Sequence, residues 1–313
     1  MVKSMKNYFK NGACGLEMTN SLNQNCWINI ETPTQEDKDF LLNELKVPEA
    51  FYNDIEDIDE RPRIEEENGW HLIIMRIPYK SNNPKLPFTT IPLGLIFNET
   101  HFISVCFFKS EMITDFVTYT QRKNLTVKNH FDLVLKLLLS SSIWYLKYLK
   151  QINQRIKLAE DNLEKSIKNE ELQALLELEK CLVFFITSIK GNDILFHRIK
   201  NIKSERENFD ADLLEDVDIE LKQAQEMSNI YSNILSGMMD AYASVISNNL
   251  NVIMKRLTSI SIILMIPTLI ASLYGMNVPN SLEKNPNGLL IIVLVSGFLA
   301  MIGAFLFKKK NLF

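Results

Sequence analysis

The chain has 313 residues, 23% of them charged, and 38 acidic against 34 basic side chains leave a formal net charge of -4. That mild acidity, with no basic stripe interleaved with aromatics, argues against a nucleic-acid partner. Four dispersed cysteines (Cys14, Cys26, Cys106, Cys181) and four scattered histidines suggest neither a disulfide framework nor a catalytic metal site. With no glycine-rich phosphate loop or G-x-S-x-G turn, an enzyme is not expected.

In chain order, Met1 to Lys10 lacks the apolar core of a signal peptide. Short apolar, β-branched segments predict strands at Cys26 to Glu31, His71 to Tyr79, Thr89 to Phe97 and His101 to Phe107. Helical spacing marks Gln35 to Leu45 and Met112 to Gln121. The break between Tyr79 and Pro87 and the turn at Asn98, Glu99 and Thr100 suit hairpins, so residues 1–125 predict an α/β domain with its own core.

From Asn129 to Ile199, Leu and Ile recur at three- and four-residue intervals, predicting two long antiparallel helices that turn near Lys168 and Asn169. A third helix begins around Asp210 and meets no proline until Pro267. Some 65 residues at 1.5 Å each make a rod of roughly 100 Å, which needs lateral partners. Val217, Leu221, Ala224, Tyr231, Leu235, Met238, Tyr242, Val245 and Val252 keep a 3.5-residue rhythm, with Ser228 and Asn249 filling the gaps. This seam packs against the chain's own helices, against copies of itself, or against both on different faces. Residues 126–256 therefore read as a helical stalk.

Residues 257–313 read as a membrane domain. An uncharged run from Leu257 to Leu282 is followed by a second apolar run from Leu289 to Phe307. Spans of about 257–275 and 289–307 approach the roughly 20 residues that cross a bilayer. Lys255 and Arg256 precede the first span and Lys308, Lys309 and Lys310 follow the second, which places both flanks, and with them both termini, in the cytoplasm.

A second series descends the same helix: Ser247, Asn251, Met254, Thr258, Ser261, Met265, Thr268 and Ser272, at alternating steps of four and three. Serine and threonine at such spacing also serve tight helix packing in membranes. Eight members in register, continuing beyond the membrane, favour a water-filled axis lined by several copies. One two-span hairpin encloses no pore, so that axis requires a symmetric homo-oligomer. A hydroxyl and amide lining without charge in the membrane suits an ion that keeps its water, as magnesium does. Pro267 lacks an N–H, which leaves the carbonyl of Ile263 without its helical partner, a cost tolerated where water or another donor is available. Membrane potential alone would drive entry, at about 2.3 kcal/mol per charge per 100 mV.

Tyr274, Gly275, Met276 and Asn277 at the outer end of the penultimate span, a short loop, a final span and a terminal lysine cluster together resemble the CorA family of divalent cation transporters. The similarity covers nearly the whole chain, including Arg61, Pro62, Arg63, Ile64 and Glu65 and the approach to the membrane from Asn251 to Thr258. The resemblance implies an α+β membrane protein assembled as a funnel-shaped homopentamer in the plasma membrane. Magnesium would be both the transported and the regulatory ion, with cobalt and nickel as further passengers. Gly275, Met276 and Asn277 would form the outer selectivity ring, Asp240, Asn251, Met265 and Thr268 would line the path, and Met254 and Leu257 would form a hydrophobic gate. Asp54 and Asp216 would bind regulatory magnesium between neighbouring subunits, although a solvated acidic surface also accounts for them.

The chain departs from the family at two places. Ser281, Leu282, Glu283 and Lys284 stand where Met-Pro-Glu-Leu is frequent, so Glu283 keeps the outer-loop acid while Lys284 opposes it. Asn53 precedes Asp54 where an acidic residue is frequent, which implies a weaker or differently built inhibitory site. A zinc transporter of the same superfamily, and a membrane-anchored coiled-coil scaffold without transport, remain as alternatives.

Overall fold

The computed structural model describes residues 5–12, 15–19, 26–165, 169–202, 209–276 and 286–310. They fall into two units, Met1–Gly237 and Met238–Phe313.

The first unit is built on seven strands: β1 (Met5–Gly12), β2 (Gly15–Thr19), β3 (Trp27–Glu31), β4 (Arg63–Glu67), β5 (Trp70–Lys80), β6 (Phe88–Phe97) and β7 (Phe102–Cys106). Their order is β2-β1-β3-β7-β6-β5-β4, antiparallel except for the parallel β3 and β7. All four expected strands are present, within a residue or so of their expected ends. The two expected hairpins are present as well, the second closed by Asn98 donating its N–H to the His101 carbonyl at 3.0 Å.

Three strands lie outside the expected set. β1 and β2 pair as a hairpin at one end of the sheet, and β4 closes the other end with the largely exposed run from Arg63 to Glu67. Charged edge strands of this kind resist pairing with other chains and carry little apolar signal.

On one face of the sheet, Ile28, Ile30, Leu72, Ile74, Ile103 and Val105 pack against α2 (Glu49–Glu56) through Phe51, Tyr52 and Ile55. A Cβ on Gly94 would fall 2.1 Å from Ile55 Cδ1, so only glycine lets α2 lie this close to β6. The expected helix from Gln35 to Leu45 divides into α1 (Gln35–Asp39) and a wider π-type turn, Phe40–Glu44, where Leu45 N–H reaches the Phe40 carbonyl at 3.1 Å. α3 (Glu111–Lys123) follows the sheet and ends at Asn124 in a left-handed conformation.

The opposite face carries α4 (His130–Lys165) and α5 (Asn169–Lys200), which match the two long helices expected. Arg76 on β5 joins all these layers. β4 pairs no further than Ile74, and the residue opposite Arg76 on β6 is Pro92, which has no N–H to give. Asn192 of α5 instead accepts the Arg76 N–H at 2.9 Å and donates to its carbonyl at 2.7 Å, and Tyr145 of α4 donates to the same carbonyl at 3.0 Å. The buried guanidinium donates to the Thr90 carbonyl at 2.7 Å, the Glu60 carbonyl at 3.1 Å and the Ile58 carbonyl. Among the described residues no carboxylate pairs with it directly, and burial pulls its pKa below the ordinary arginine value.

The third long helix is α6 (Ala211–Tyr274), 64 residues without interruption and about 96 Å long. Within the first unit its seam is covered by this chain: Val217, Leu221, Ala224, Ser228, Tyr231 and Leu235 are buried. Further along, Val245, Asn249 and Val252 are exposed. Packing against the chain's own residues thus accounts for the first half of the seam and not the second.

Candidate functional site

The second unit consists of α6 from Met238 onward and α7 (Gly288–Lys309). Both helices are long and apolar enough to cross a membrane, by length and composition. They meet through small side chains. Ser259 on α6 and Ser296 on α7 are only 3% and 9% exposed, and a Cβ on Gly303 would lie 3.3 Å from Ile266 Cδ1 and 3.9 Å from Ile263 Cγ1. Small residues at a helix contact let backbones approach where the hydrophobic effect supplies no drive.

This contact gives α6 a direction. Ser259, Ile263, Ile266 and Ile270 are buried or half-buried, whereas Ser247, Asn251, Met254, Thr258, Ser261, Met265, Thr268 and Ser272 are all exposed in the single chain. At about 100° per residue the two sets lie on opposite sides of the helix. Asp240, seven residues before Ser247, shares the polar face and is exposed, as is Leu257 of the expected gate. Met265 is 66% exposed, too open for a residue packed against another helix of its own chain.

The hydroxyls on this face have a defined polarity. Thr258 donates to the Met254 carbonyl at 2.8 Å, Ser261 to the Leu257 carbonyl at 2.9 Å and Thr268 to the Leu264 carbonyl at 2.9 Å. Each proton is thereby engaged by the backbone one turn earlier, and the outward side of each oxygen is left with lone pairs. Those accept hydrogen bonds from water, which is the contact a hydrated cation offers.

Pro267 lies within α6, as expected. It lies four residues after Ile263, and both are half-buried on the flank that meets α7. The carbonyl that Pro267 releases therefore belongs to that flank and not to the polar face.

Gly275 closes the last turn of α6, its N–H donating to the Ala271 carbonyl at 2.9 Å, and Met276 follows exposed. Asn277 and Glu283 lie outside the described residues, as does Cys14.

The two expected regulatory acids sit in different surroundings. Asp54, on α2, is half-buried with its Oδ2 2.7 Å from Arg63 Nη2, and Arg63 also holds Glu65 at 2.9 Å and Glu60. Pro62 beside it packs on α5, where a Cβ on Gly191 would fall 2.8 Å from Pro62 Cγ. The segment from Arg61 to Glu65 therefore clamps the acidic end of α2. Asp216 is exposed on α6, on a cleft of about 330 Å³ shared with Asp115 and Lys136. Among the described residues no cluster of three or more acidic, histidine or cysteine side chains is placed to hold a metal ion. Sequence reading missed the Arg63 clamp, since contacts nine residues apart across a turn leave no periodic signal.

Together these features define an integral membrane protein with two C-terminal helices fit to span a bilayer, the first of them the end of a 64-residue helix, and a large N-terminal α/β unit. The chain belongs to the CorA-like Mg2+ transporter protein family, whose family model matches residues 23–309. It is 26% identical over 295 residues to the cobalt/magnesium transport protein CorA of Methanocaldococcus jannaschii, covering 91% of this chain and 90% of that one. The cobalt/magnesium transport protein CorA of Thermotoga maritima is also 26% identical, over 82% of this chain and 74% of its own. The complete structure of the CorA magnesium transporter from M. jannaschii superimposes with a TM-score of 0.82 at 23% identity, covering 99% of both chains.

Proposed function

We propose that this protein is a homopentameric channel that admits hydrated magnesium into the cytoplasm down its electrochemical gradient, and that cytoplasmic magnesium shuts it. One observation carries this reading. The membrane part of α6 holds a continuous face of small polar residues and methionine, opposite its contact with α7, and exposed among the described residues. Around a shared axis that face lines a wet path whose oxygen lone pairs accept from the water on the ion. Gly275, Met276 and Asn277 then form its outer mouth, Met254 and Leu257 a constriction that closes by dewetting, and Glu283 an acid near the entrance. Cobalt and nickel, as octahedral aqua ions, are further passengers. The transport activities named for the two similar CorA proteins agree with this reading.

Reconstitution in liposomes loaded with a magnesium-sensitive dye, under an inside-negative potential, tests it. Influx in the wild type and its loss in Asn277→Ala, with assembly unchanged, is the expected result. Absence of magnesium influx in the wild type would sink the magnesium reading, and uptake of zinc alone or of no ion would favour a zinc transporter or a scaffold.

Regulation follows from carboxylates gathered where subunits meet: bound magnesium cancels their repulsion, and its loss lets the subunits part. Asp54 and Asp216 are the proposed pair. Because Arg63 already neutralises Asp54, magnesium there competes with an internal cation. Asp54→Asn with Asp216→Asn should shift inhibition of flux toward higher internal magnesium by about tenfold, the effect of roughly 1.4 kcal/mol. An unmoved inhibition curve would return both residues to the solvated surface.

A further inference from the structure

Three of the four histidines, far apart in the sequence, meet where β5, the β6–β7 turn and the start of α4 come together. His71 on β5 stacks on Phe97 at 5.2 Å. His130, the first residue of α4, lies 5.7 Å from the other contact ring of Phe97 and 5.6 Å from Phe102. His101 on the turn stacks on Trp70 at 6.4 Å, with its Nδ1 2.7 Å from Thr100 Oγ1. Among the described residues no group of such side chains is placed to hold a metal ion, so the chemistry open to the three rings is that of protons. Imidazole is the side chain whose ordinary titration falls between pH 5 and 8.

His130 is half-buried, and most of its surroundings disfavour the charged form. Burial, foremost, holds its pKa below the ordinary histidine value; the Asn98 and Glu99 carbonyls pull the other way, and His101 and His71 add to the lowering. Its place at the N-terminus of α4, the positive end of the helix dipole, also opposes a cation. Toward β1, β2 and β3 the ring borders a cavity of about 40 Å³ lined by Asn11, Leu16, Trp27 and Cys26, the thiol being the only other titratable group there among the described residues. The nearby carboxylates are engaged or exposed: Asp132 on α4 holds Lys136 at 2.6 Å, Glu66 on β4 stands 3.9 Å from His71 Nδ1, and Glu99 is exposed on the turn.

The same segment ties α4 to the start of α6. Phe131 meets Phe97 edge to face at 5.3 Å and Phe209 at 5.8 Å, and Lys128 reaches Asp210 Oδ2 at 2.7 Å. Asp210 accepts the Leu213 N–H at 3.4 Å through its other oxygen, in the first turn of α6. We propose that this joint is a proton switch: uptake of a proton by His130 parts the start of α4, and with it the start of α6, from the end of the sheet. The sign follows from linkage. A histidine held neutral in the fold adds stability above its unfolded pKa of about 6.5, and that contribution is lost as the pH falls below it. The switch does not depend on the channel reading.

Hydrogen exchange of the purified full-length protein near pH 7.5 and near pH 5.5, with rates corrected for the intrinsic pH dependence of amide exchange, tests it. Amides at 98–102, 129–134 and 209–214 should exchange about tenfold faster at the lower pH, while those at 181–192 in the middle of α5 stay unchanged. His130→Phe keeps an aromatic ring that takes no proton, and should abolish the increase. His71→Gln with His101→Gln leaves His130 in place and removes two groups that oppose its charge, so the onset should move to higher pH. That shift is one that packing alone would not produce, and it decides the matter should His130→Phe fail to fold. Equal corrected rates at the two pH values in the wild type, an undiminished increase in His130→Phe, or an onset in the double variant that stays in place or moves to lower pH would overturn the assignment.

Discussion

Ser261→Leu combined with Thr268→Leu is expected to cut magnesium influx about a hundredfold while leaving the protein assembled. On the proposed ion path each hydroxyl would contribute a hydrogen bond to water polarised by a divalent cation, in the range of about 1.5–3 kcal/mol for bonds to charged groups. Losing two costs on the order of 3 kcal/mol at the barrier, and each 1.36 kcal/mol is tenfold in rate. Leucine is at home in a membrane helix, and both positions lie opposite the α7 contact, so helix pairing within the chain is untouched. Thr268→Val separates size from chemistry, because valine keeps the shape and removes the oxygen. Liposome flux decides: influx within about threefold of wild type in the double variant would return the polar face to a packing role.

Arg76→Met should destabilise the first unit by about 3–5 kcal/mol, a range typical of breaking a buried charged network. The guanidinium serves the carbonyls of Ile58, Glu60 and Thr90 at once, and methionine fills part of its volume without replacing any donor. Arg76→Lys should recover little, since one ammonium cannot present donors along the three directions of a planar fork. Thermal unfolding of the full chain, followed by near-ultraviolet dichroism, should show a midpoint lower by roughly 10 °C. A shift under about 2 °C would show that water satisfies those carbonyls and that the network is dispensable.

What could be read from the residues followed from periodicity and burial. β5 and β6 bury both faces over long apolar runs, and α4, α5 and α6 repeat their apolar positions over many turns, so each announced itself. β1, β2 and β4 gave no such signal. They lie toward the edges of the sheet, and residues such as Lys6, Lys10 and Glu65 to Glu67 stand where a central strand would carry apolar side chains. α2 is only eight residues long, too short for a repeat to show. The polar face of α6 was legible from its spacing. The side taken by α7 was not, because Ser259, Ser296 and Gly303 are contact residues only by virtue of where the second helix lies. Asp54 was legible as an acid but not as the partner of Arg63.

The hydrogen bonds of Thr258, Ser261 and Thr268 have a consequence for the sign of whatever passes them. A free hydroxyl is ambivalent: it turns its proton toward chloride as readily as its oxygen toward a cation's water. Once the proton is engaged by the helix backbone, that choice is gone. As the lining of the proposed path, such a surface would discriminate against anions with no formal charge, and so without the deep binding that a ring of carboxylates would impose on a divalent ion. On the proposed path fast passage and charge selection would cease to be in conflict, and the alternation of fours and threes along α6 would be a way of turning hydroxyls into one-sided acceptors.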